Sequence, residues 1–208
     1  MTLRGRICFE DLVCFDRDMA GAASQLLAGV DEAGRGALAG PVVAAAVICK
    51  PHDRLSRVRD SKLVSEPLRE ELYDNIRRFS EAVGVGIVGP EDIDRFNIFN
   101  ATLKAMTEAI NSLDPAPVLV LIDGRHIPDV NLPARAVKAG DRRSFSIAAA
   151  SIVAKVTRDR IMREQDTEYA GYGFSRNKGY GTRQHIEAIR EHGWTSIHRR
   201  SFKVNSLG

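Results

Sequence analysis

The chain has few cysteines and no long uncharged apolar run. Three cysteines cannot all pair within one chain, and their spacing matches no zinc knuckle, so we expect buried or incidental thiols rather than a disulfide framework. No stretch approaches the roughly 20 apolar residues that cross a bilayer. The first 20 residues carry acids and arginines among their apolar positions, unlike a secretory signal. The sequence therefore predicts a cytoplasmic protein with no membrane partner.

The net charge is only +3, but positive charge is concentrated near the C-terminus. Between residues 176 and 203, seven lysines and arginines stand against two glutamates, which leaves this segment at +5 and the remainder at −2. Such a distribution is typical of a surface that meets a polyanion, with a solvated basic tail as the alternative. The seven are Arg176, Lys178, Arg183, Arg190, Arg199, Arg200 and Lys203.

Strands and helices are mixed along one domain of 208 residues. Residues 1 to about 25 form a weakly patterned lead-in, with a short helix near 19–27. Consecutive strands come first and alternation follows, which predicts a three-layer α/β fold with a mixed sheet and a helical segment after about residue 165. We predict strands over 27–31, 41–49, 82–90, 117–124 and 132–141, and helices over 60–79, 97–113, 144–162 and 182–192.

Four acids stand at the ends of apolar elements. Asp31 and Glu32 close the first strand, Asp123 closes "VLVLI", and Asp141 follows "AVKAG". Buried carboxylates that converge repel one another, and a divalent cation relieves that repulsion. Oxygen-only ligation favours Mg²⁺ or Mn²⁺, the ions of two-metal phosphoryl chemistry. The pattern alone indicates a metal site, with capping or turn roles as the alternative for each acid.

The adjacency of Asp31 and Glu32 poses a geometric difficulty. Neighbouring residues on a strand point to opposite faces of the sheet. Both can serve one site only if the strand ends or bulges there, or if one contributes its carbonyl. Gly34 follows closely, so we expect the strand to end.

The assembled motifs resemble ribonuclease HII, the type 2 ribonuclease H of bacteria, from Gly29 to Phe202. The resemblance implies a ribonuclease H-like core followed by a C-terminal helical segment. It also implies endonucleolytic cleavage of RNA paired with DNA, including a lone ribonucleotide in duplex DNA, with 3′-hydroxyl and 5′-phosphate products. The motifs, in order, are "GVDEAGRGALAGPV", "DSKLVS", "NIFNATLKAM", "LIDG", "KAGD", "SIAAASIVAKVTRD", "NKGYGT" and "HRRSF".

The same resemblance assigns roles to particular residues. The catalytic residues and ligands of Mn²⁺ or Mg²⁺ that it implies are Asp31, Glu32, Asp123 and Asp141. The residues that it implies for recognition of the ribose at an RNA–DNA junction are Gly34, Arg35, Gly36 and Tyr180. The phosphate contacts that it implies are Asp60, Ser61 and Lys62.

The chemistry of these residues agrees with those roles. The 2′-hydroxyl distinguishes RNA from DNA, and backbone groups approach it closely only where side chains are absent, as at Gly34 and Gly36. Tyr180 lies between two glycines and can present its ring from a loop. Two alternatives stay open: Arg35 pairs with a nearby acid, and Lys62 is a plain solvent-facing lysine.

A few positions depart from the family pattern or lie outside it. Asn177 stands where the family often has histidine, which we expect to affect loop anchoring but not chemistry. Lys155 and Asp159, four apart, predict a helix-face ion pair. His185 and His198 have no metal spacing and are predicted to lie on the surface.

The predicted partners are RNA–DNA hybrid and duplex DNA that contains ribonucleotides, bound by a monomer. Two competing functions are a DNA nuclease or integrase-like enzyme on a similar core and a non-catalytic nucleic-acid binding module. Protein partners and the role of residues 1–25 stay open.

Overall fold

Five strands form one mixed sheet in the computed structural model, which describes residues 8–21 and 26–203. Their order is β3-β2-β1-β4-β5. β1 and β3 both run antiparallel to β2, whereas β4 runs parallel to β1 and to β5. The bounds are β1 Leu27–Ala33, β2 Val42–Cys49, β3 Ser80–Val88, β4 Leu119–Asp123 and β5 Ala134–Val137.

Helices cover both faces of the sheet and complete three layers. One face packs against α4, with α1 and α2 alongside, and the opposite face packs against α3. This arrangement confirms the predicted three-layer α/β fold. The bounds are α1 Phe9–Ala20, α2 Glu66–Phe79, α3 Pro90–Asn111, α4 Phe145–Glu168, α5 Phe174–Asn177 and α6 Arg183–His192.

The alanine-rich helix α4 lies unusually close to the sheet because small residues face each other. A Cβ added at Gly29 of β1 would lie 2.0 Å from the carbonyl carbon of Ser146. Ala148, Ala149 and Ala150 are completely buried beside it. The close packing places α4 residues next to the end of β1.

The C-terminal segment has a small core of its own. Tyr172 and Phe174 pack with Ala188 and Ile189 of α6 and with Leu38, which precedes β2. The predicted helical segment is therefore present, and it is attached to the sheet through the connection between β1 and β2. Its contact with substrate stays a prediction. Within the described ranges, no helix combines the length and apolar character that crossing a membrane requires.

Several element boundaries differ from those predicted. The first helix covers Phe9–Ala20 rather than 19–27, where residues 22–25 lie outside the described ranges and β1 begins at Leu27. The helix predicted from residue 60 begins at Glu66, as Ser65 and Pro67 favour, after a separate short 3₁₀ turn, Ser61–Leu63. The helix predicted over 97–113 is present as the second part of α3, which also contains a shorter helical stretch from Pro90. Asn97, with φ of 66°, is non-helical and separates the two stretches, and its Oδ1 accepts a hydrogen bond of 3.1 Å from the N–H of Asn100.

Candidate active site

Asp31 and Asp123 lie at one edge of the sheet. β1 pairs in parallel with β4 up to Val30 and Ile122, so the two acids follow at the same level of adjacent strands. Carboxyl ends of parallel neighbours meet at the same edge, which is where ligands bind to sheets of this kind. Residues 92 positions apart in the chain are thereby brought together.

A hydrogen bond from the main chain beside Asp141 connects this residue to Asp123. The N–H of Gly140 donates a hydrogen bond of 2.6 Å to Oδ1 of Asp123. Asp141 is the next residue, buried in the short 3₁₀ turn Gly140–Arg142 that follows β5. The fourth acid of the predicted set therefore lies beside the third.

Asp31 and Glu32 leave β1 on opposite faces. The expected strand ending was wrong: β1 continues to Ala33, because β2 pairs regularly with it beyond the point where β4 stops. The carboxylate of Asp31 accepts a hydrogen bond of 2.8 Å from the N–H of Glu32, and the nearby hydroxyl of Ser151 on α4 lowers the pKa of Asp31. The carboxylate of Glu32 instead pairs with Arg35 at 3.2 Å. Glu32 nevertheless lies close enough to Asp31 and Asp123 for their charges to interact.

Burial and mutual repulsion shift the acidity of these groups. Burial raises the pKa of Asp31 well above its ordinary value, and the charges of Glu32 and Asp123 raise it further. The pKa of Glu32 is also raised, chiefly by burial. Burial, followed by the charges of Asp60 and Asp123, raises the pKa of Asp141. The protein therefore holds acids close together at an energetic cost that a bound cation would relieve.

The donor chemistry fits a hard divalent cation, because carboxylate oxygens are its preferred ligands. In the ranges that the structure describes, no group of three or more His, Cys, Asp or Glu side chains could hold a metal ion as the side chains stand. The four acids are neighbours electrostatically but do not converge. Binding an ion requires their side chains to turn toward one another.

Lys62 is the cation nearest to Asp141. Its Nζ lies 3.8 Å from Oδ2 of Asp141, and its side chain is 76% exposed. Burial opposes the charge of Lys62, but Asp60 and the neighbouring acids raise its pKa. The carboxylate of Asp60 also accepts a hydrogen bond of 2.9 Å from the N–H of Lys62, which fixes the lysine's backbone. Lys62 is thus a held, charged and accessible group at the edge of the acid cluster.

Ser61 lies in the interior, unlike Lys62. Its hydroxyl shares a hydrogen bond of 2.9 Å with the hydroxyl of Ser151, a residue that lowers the pKa of Asp31. The predicted phosphate contact of Ser61 stays a prediction. The side chain of Ser61 is buried against Ser151 and is not exposed to solvent.

The two glycines of the Gly-Arg-Gly element have different surroundings. They belong to the glycine-rich loop, residues 34–40, between β1 and β2. Gly34 has φ of +92°, and an added Cβ would lie 1.9 Å from Nε of Arg158. A Cβ at Gly36 would meet no described atom within 4 Å. Packing explains Gly34, whereas Gly36 keeps an exposed stretch of backbone open to approach. Arg35 between them is half exposed and paired with Glu32.

Tyr180 belongs to the tyrosine loop, residues 177–181, which lies against the glycine-rich loop. The carbonyl of Gly179 accepts a hydrogen bond of 2.8 Å from the N–H of Leu38. The ring of Tyr180 has Cζ of Arg158 at 5.3 Å and Nζ of Lys155 at 5.9 Å from its centroid. With 36% of its surface exposed, Tyr180 presents part of its ring to solvent.

Two buried arginines, which the sequence analysis missed, hold these loops in place. Arg158 and Arg199 are completely buried, and their guanidinium groups donate to main-chain carbonyls rather than to acids. The only sequence signal for Arg158 is a charged residue in an otherwise small and apolar helix. Arg158 bonds to the carbonyls of Ala39, Pro41 and Lys178, and Arg199 to those of Arg35 and Gly40, at distances of 2.8–3.1 Å.

Burial also corrects the charge pattern predicted for the C-terminal segment. Lys178 is 9% exposed and Arg199 is fully buried, so neither adds to a basic surface. His185 and His198 were predicted to lie on the surface, but both are buried and bonded to each other. They are buried because the aromatic core of the segment closes around them.

Two further sequence predictions concern side-chain anchors, and both agree with the structure. Asn177 donates to the carbonyl of Tyr172 at 2.7 Å and accepts from the N–H of Gly179 at 2.8 Å, so it anchors the tyrosine loop. Lys155 and Asp159 form the expected ion pair at 2.6 Å on α4.

The chain is similar in sequence to proteins of one known family. The model of the family described as ribonuclease HII matches residues 28–205. A ribonuclease HII of Acetivibrio thermocellus is 49% identical over 199 residues, which cover 96% of this chain and 78% of that protein. One of Geobacter metallireducens is 54% identical over 177 residues, or 85% of this chain and 83% of that protein.

A solved structure gives the same result for the fold. The ribonuclease HII of Archaeoglobus fulgidus, determined in complex with PCNA, superimposes with a TM-score of 0.72 at 30% identity. The match covers 86% of this chain and 96% of that one. The chain belongs to the ribonuclease HII family of endoribonucleases, which depend on a divalent metal, act on RNA paired with DNA and leave 5′-phosphate ends.

Proposed function

We propose that this protein nicks duplex DNA at embedded ribonucleotides, as well as cleaving the RNA strand of hybrids, by two-metal-ion hydrolysis that leaves 3′-hydroxyl and 5′-phosphate ends. One observation carries the proposal: buried carboxylates lie at a sheet edge directly followed in the chain by an exposed, glycine-lined loop that contacts the loop of Tyr180. A cluster of acids for phosphodiester hydrolysis thereby adjoins a surface suited to a ribose.

Asp31, Glu32, Asp123 and Asp141 would hold Mg²⁺ or Mn²⁺. When bound, such ions lower the pKa of an attacking water and stabilise the leaving oxygen. The raised pKa values of Asp31, Glu32 and Asp141 support a role in cation binding, because the acids repel one another without it. The N–H of Gly140 keeps the carboxylate of Asp123 oriented, and the N–H of Glu32 donates a hydrogen bond of 2.8 Å to that of Asp31.

Ribose recognition would fall to the two loops beside the acids. The backbone at Gly36 leaves room for a sugar, and the half-exposed Arg35 is near enough to contact the adjoining phosphate. Tyr180 offers a ring face to the sugar and a hydroxyl that can bond with its 2′-oxygen. An accessible ammonium at Lys62 suits a phosphate next to the cleaved bond, and Ser61 would support it from behind.

The remaining expectations concern the surroundings of the enzyme. Exposed cations of the C-terminal segment would grip the nucleic-acid backbone, so binding would weaken as salt rises. We propose that the protein acts as a monomer, and its cytoplasmic location stays a prediction. The PCNA complex of the Archaeoglobus protein concerns that relative, and we infer no protein partner from it.

One assay separates this function from its competitors. The protein is incubated with three labelled duplexes, one all-DNA, one with a single ribonucleotide and one RNA–DNA hybrid, each with and without Mg²⁺. We expect cleavage of the second and third only, and only with the ion. Cleavage of the all-DNA duplex would indicate a DNA nuclease, and binding without any cleavage would indicate a non-catalytic module. Either result would overturn the proposal.

A further inference from the structure

Two buried histidines face each other in the C-terminal segment and have no part in the site described above. His185 of α6 and His198 are 0% and 2% exposed. Their Nε2 atoms lie 3.0 Å apart, which is hydrogen-bond distance. Because one nitrogen must donate and the other accept, the two rings cannot be in equivalent states.

The outer nitrogens decide which ring donates. Nδ1 of His185 lies 3.0 Å from the carbonyl oxygen of Tyr180, which can only accept, so this nitrogen carries the proton. The main-chain N of Thr195 lies 2.9 Å from Nδ1 of His198, and its N–H can only donate, so Nδ1 carries no proton and also accepts from the hydroxyl of Thr195 at 2.7 Å. Nε2 of His198 therefore donates to Nε2 of His185. Every ring nitrogen is satisfied, and both rings are neutral.

The surroundings favour the neutral pair. The rings of Tyr172, Phe174 and Trp194 pack around His198, and His192 lies across Tyr172. Arg200 is the facing cation, and no carboxylate acts on either histidine in the described ranges. Burial lowers the pKa of His185, and burial, His185 and Arg200 lower that of His198 to about 4. A second proton on His185 would set two N–H groups against each other.

The pair closes a ring of contacts around the tyrosine loop. His185 holds the carbonyl of Tyr180, and His198 forms a β-bridge with Ala39 of the glycine-rich loop. The N–H of Ala39 donates to the carbonyl of Gly179, the residue before Tyr180. The backbone of Tyr180 is therefore fixed from both sides, and the histidine pair supplies one of the two connections.

We propose that His185 and His198 are positioning residues for ribose recognition: their mutual hydrogen bond holds the main chain of Tyr180 against the glycine-rich loop. This inference rests on the proposed function, because it gives the pair an effect on substrate only through Tyr180. Neither histidine touches the substrate or the reacting atoms.

The test is a double-mutant cycle between His198 and Tyr180. His198→Phe keeps an aromatic ring but removes the hydrogen bonds of both ring nitrogens, to His185 and to Thr195. We expect it to lower kcat/KM on the single-ribonucleotide duplex about tenfold, the effect of one ordinary hydrogen bond. Affinity for an all-DNA duplex should not change. In a Tyr180→Ala background, His198→Phe should have no further effect on kcat/KM, because coupled residues are not additive. Full additivity would overturn the proposal.

A conservative variant and a direct observation keep the inference testable if His198→Phe fails to fold. His198→Gln places an amide N–H where Nε2 of His198 donates, so it should retain most of the wild-type kcat/KM. Long-range ¹H–¹⁵N spectra of the wild-type rings at neutral pH should show Nδ1–H on His185 and Nε2–H on His198. A charged ring, or the opposite tautomers, would overturn the proposal. If the wild type cleaves no ribonucleotide with Mg²⁺ present, the proposed function fails, whereas unchanged kcat/KM in every histidine variant defeats this inference alone.

Discussion

Arg158 passes so close to Gly34 that a Cβ at position 34 would lie 1.9 Å from its Nε atom. The arginine is buried and holds three main-chain carbonyls, so it cannot move aside. Gly34 also has φ of +92°, which L side chains rarely adopt. The fold therefore requires glycine at position 34, the first of the Gly-Arg-Gly element, independently of any contact with substrate.

Gly34→Ala and Gly36→Ala should separate stability from recognition. We expect Gly34→Ala to lower the free energy of unfolding by at least about 2 kcal/mol, through backbone strain and the clash with Arg158. Gly36→Ala should change it by less than roughly 0.5 kcal/mol, because no described atom lies nearby. Urea denaturation measures both. Gly36→Ala should nevertheless reduce kcat/KM on the single-ribonucleotide duplex, and an unchanged value would remove Gly36 from the recognition surface.

Asp123→Asn should abolish cleavage while the protein stays folded. The amide oxygen still accepts the hydrogen bond from Gly140, but the negative charge that a divalent ion needs is lost. We expect turnover with Mg²⁺ to fall at least roughly 10³-fold and hybrid affinity to change little. Asp129→Asn, an exposed acid outside the cluster, is the matched control and should keep wild-type turnover. Cleavage by Asp123→Asn at the wild-type rate would refute the metal assignment.

Lys62→Gln should weaken hybrid binding and its salt dependence. If Lys62 contacts one phosphate, the slope of log K against log salt should fall in magnitude by about 0.9. Fluorescence anisotropy across a salt series measures that slope. Lys50→Gln is the control, because this lysine is similarly exposed but pairs with Glu81 at the other end of β2. Equal slopes for the wild type and Lys62→Gln would show that Lys62 is a plain surface residue.

The free energy of unfolding should decrease at acidic pH, partly because the pKa of His198 is lowered in the folded protein. Its pKa is about 4 in the folded protein and about 6.5 when exposed, so the unfolded chain binds the extra proton between those values. The contribution is fully present above pH 6.5 and is lost as pH falls through 4. His185 acts in the same direction. We expect His198→Phe to flatten the dependence of the unfolding free energy on pH in this window, and parallel curves would contradict the assignment.

Two thiols of three should react rapidly in the native protein. Cys8 and Cys14 are exposed, whereas Cys49 is buried and burial raises its pKa to about 11. Because the thiolate is the reactive form, Cys49 should be modified only after unfolding. A thiol titration with a chromogenic disulfide, with and without guanidinium, measures this difference. Rapid native reaction in a Cys8→Ser, Cys14→Ser variant would show that Cys49 is accessible.

The sequence was most informative where the pattern is local. The strands around "VVAAAVIC" and "VLVLI" and the helix around Ala148–Ala150 were predicted correctly, because apolar runs and small residues determine burial directly. The grouping of Asp31 with Asp123 was predicted because both stand at the ends of apolar strands, and the parallel pairing of β1 with β4 brings them together. The direction of Glu32 did not follow, because it depends on β2 continuing where β4 stops.

The missed features all depend on contacts between distant segments. Arg158 and Arg199 appear as ordinary surface charges in the sequence, since nothing local shows that loop carbonyls will surround them. His185 and His198 are similar, because each supplies the partner that makes burial of the other tolerable. Such mutual satisfaction cannot be inferred from either residue alone.

Helix α4 supports both halves of the site. Ser151, which lowers the pKa of Asp31, and Arg158, which holds the loops and faces Tyr180, are seven residues apart on it, or about 10 Å along its axis. A helix of this length, packed against β1 by alanines, does not stretch. Under the proposed function, the distance between the hydrolysed bond and the recognised sugar is therefore set by the fixed geometry of α4 rather than by mobile loops.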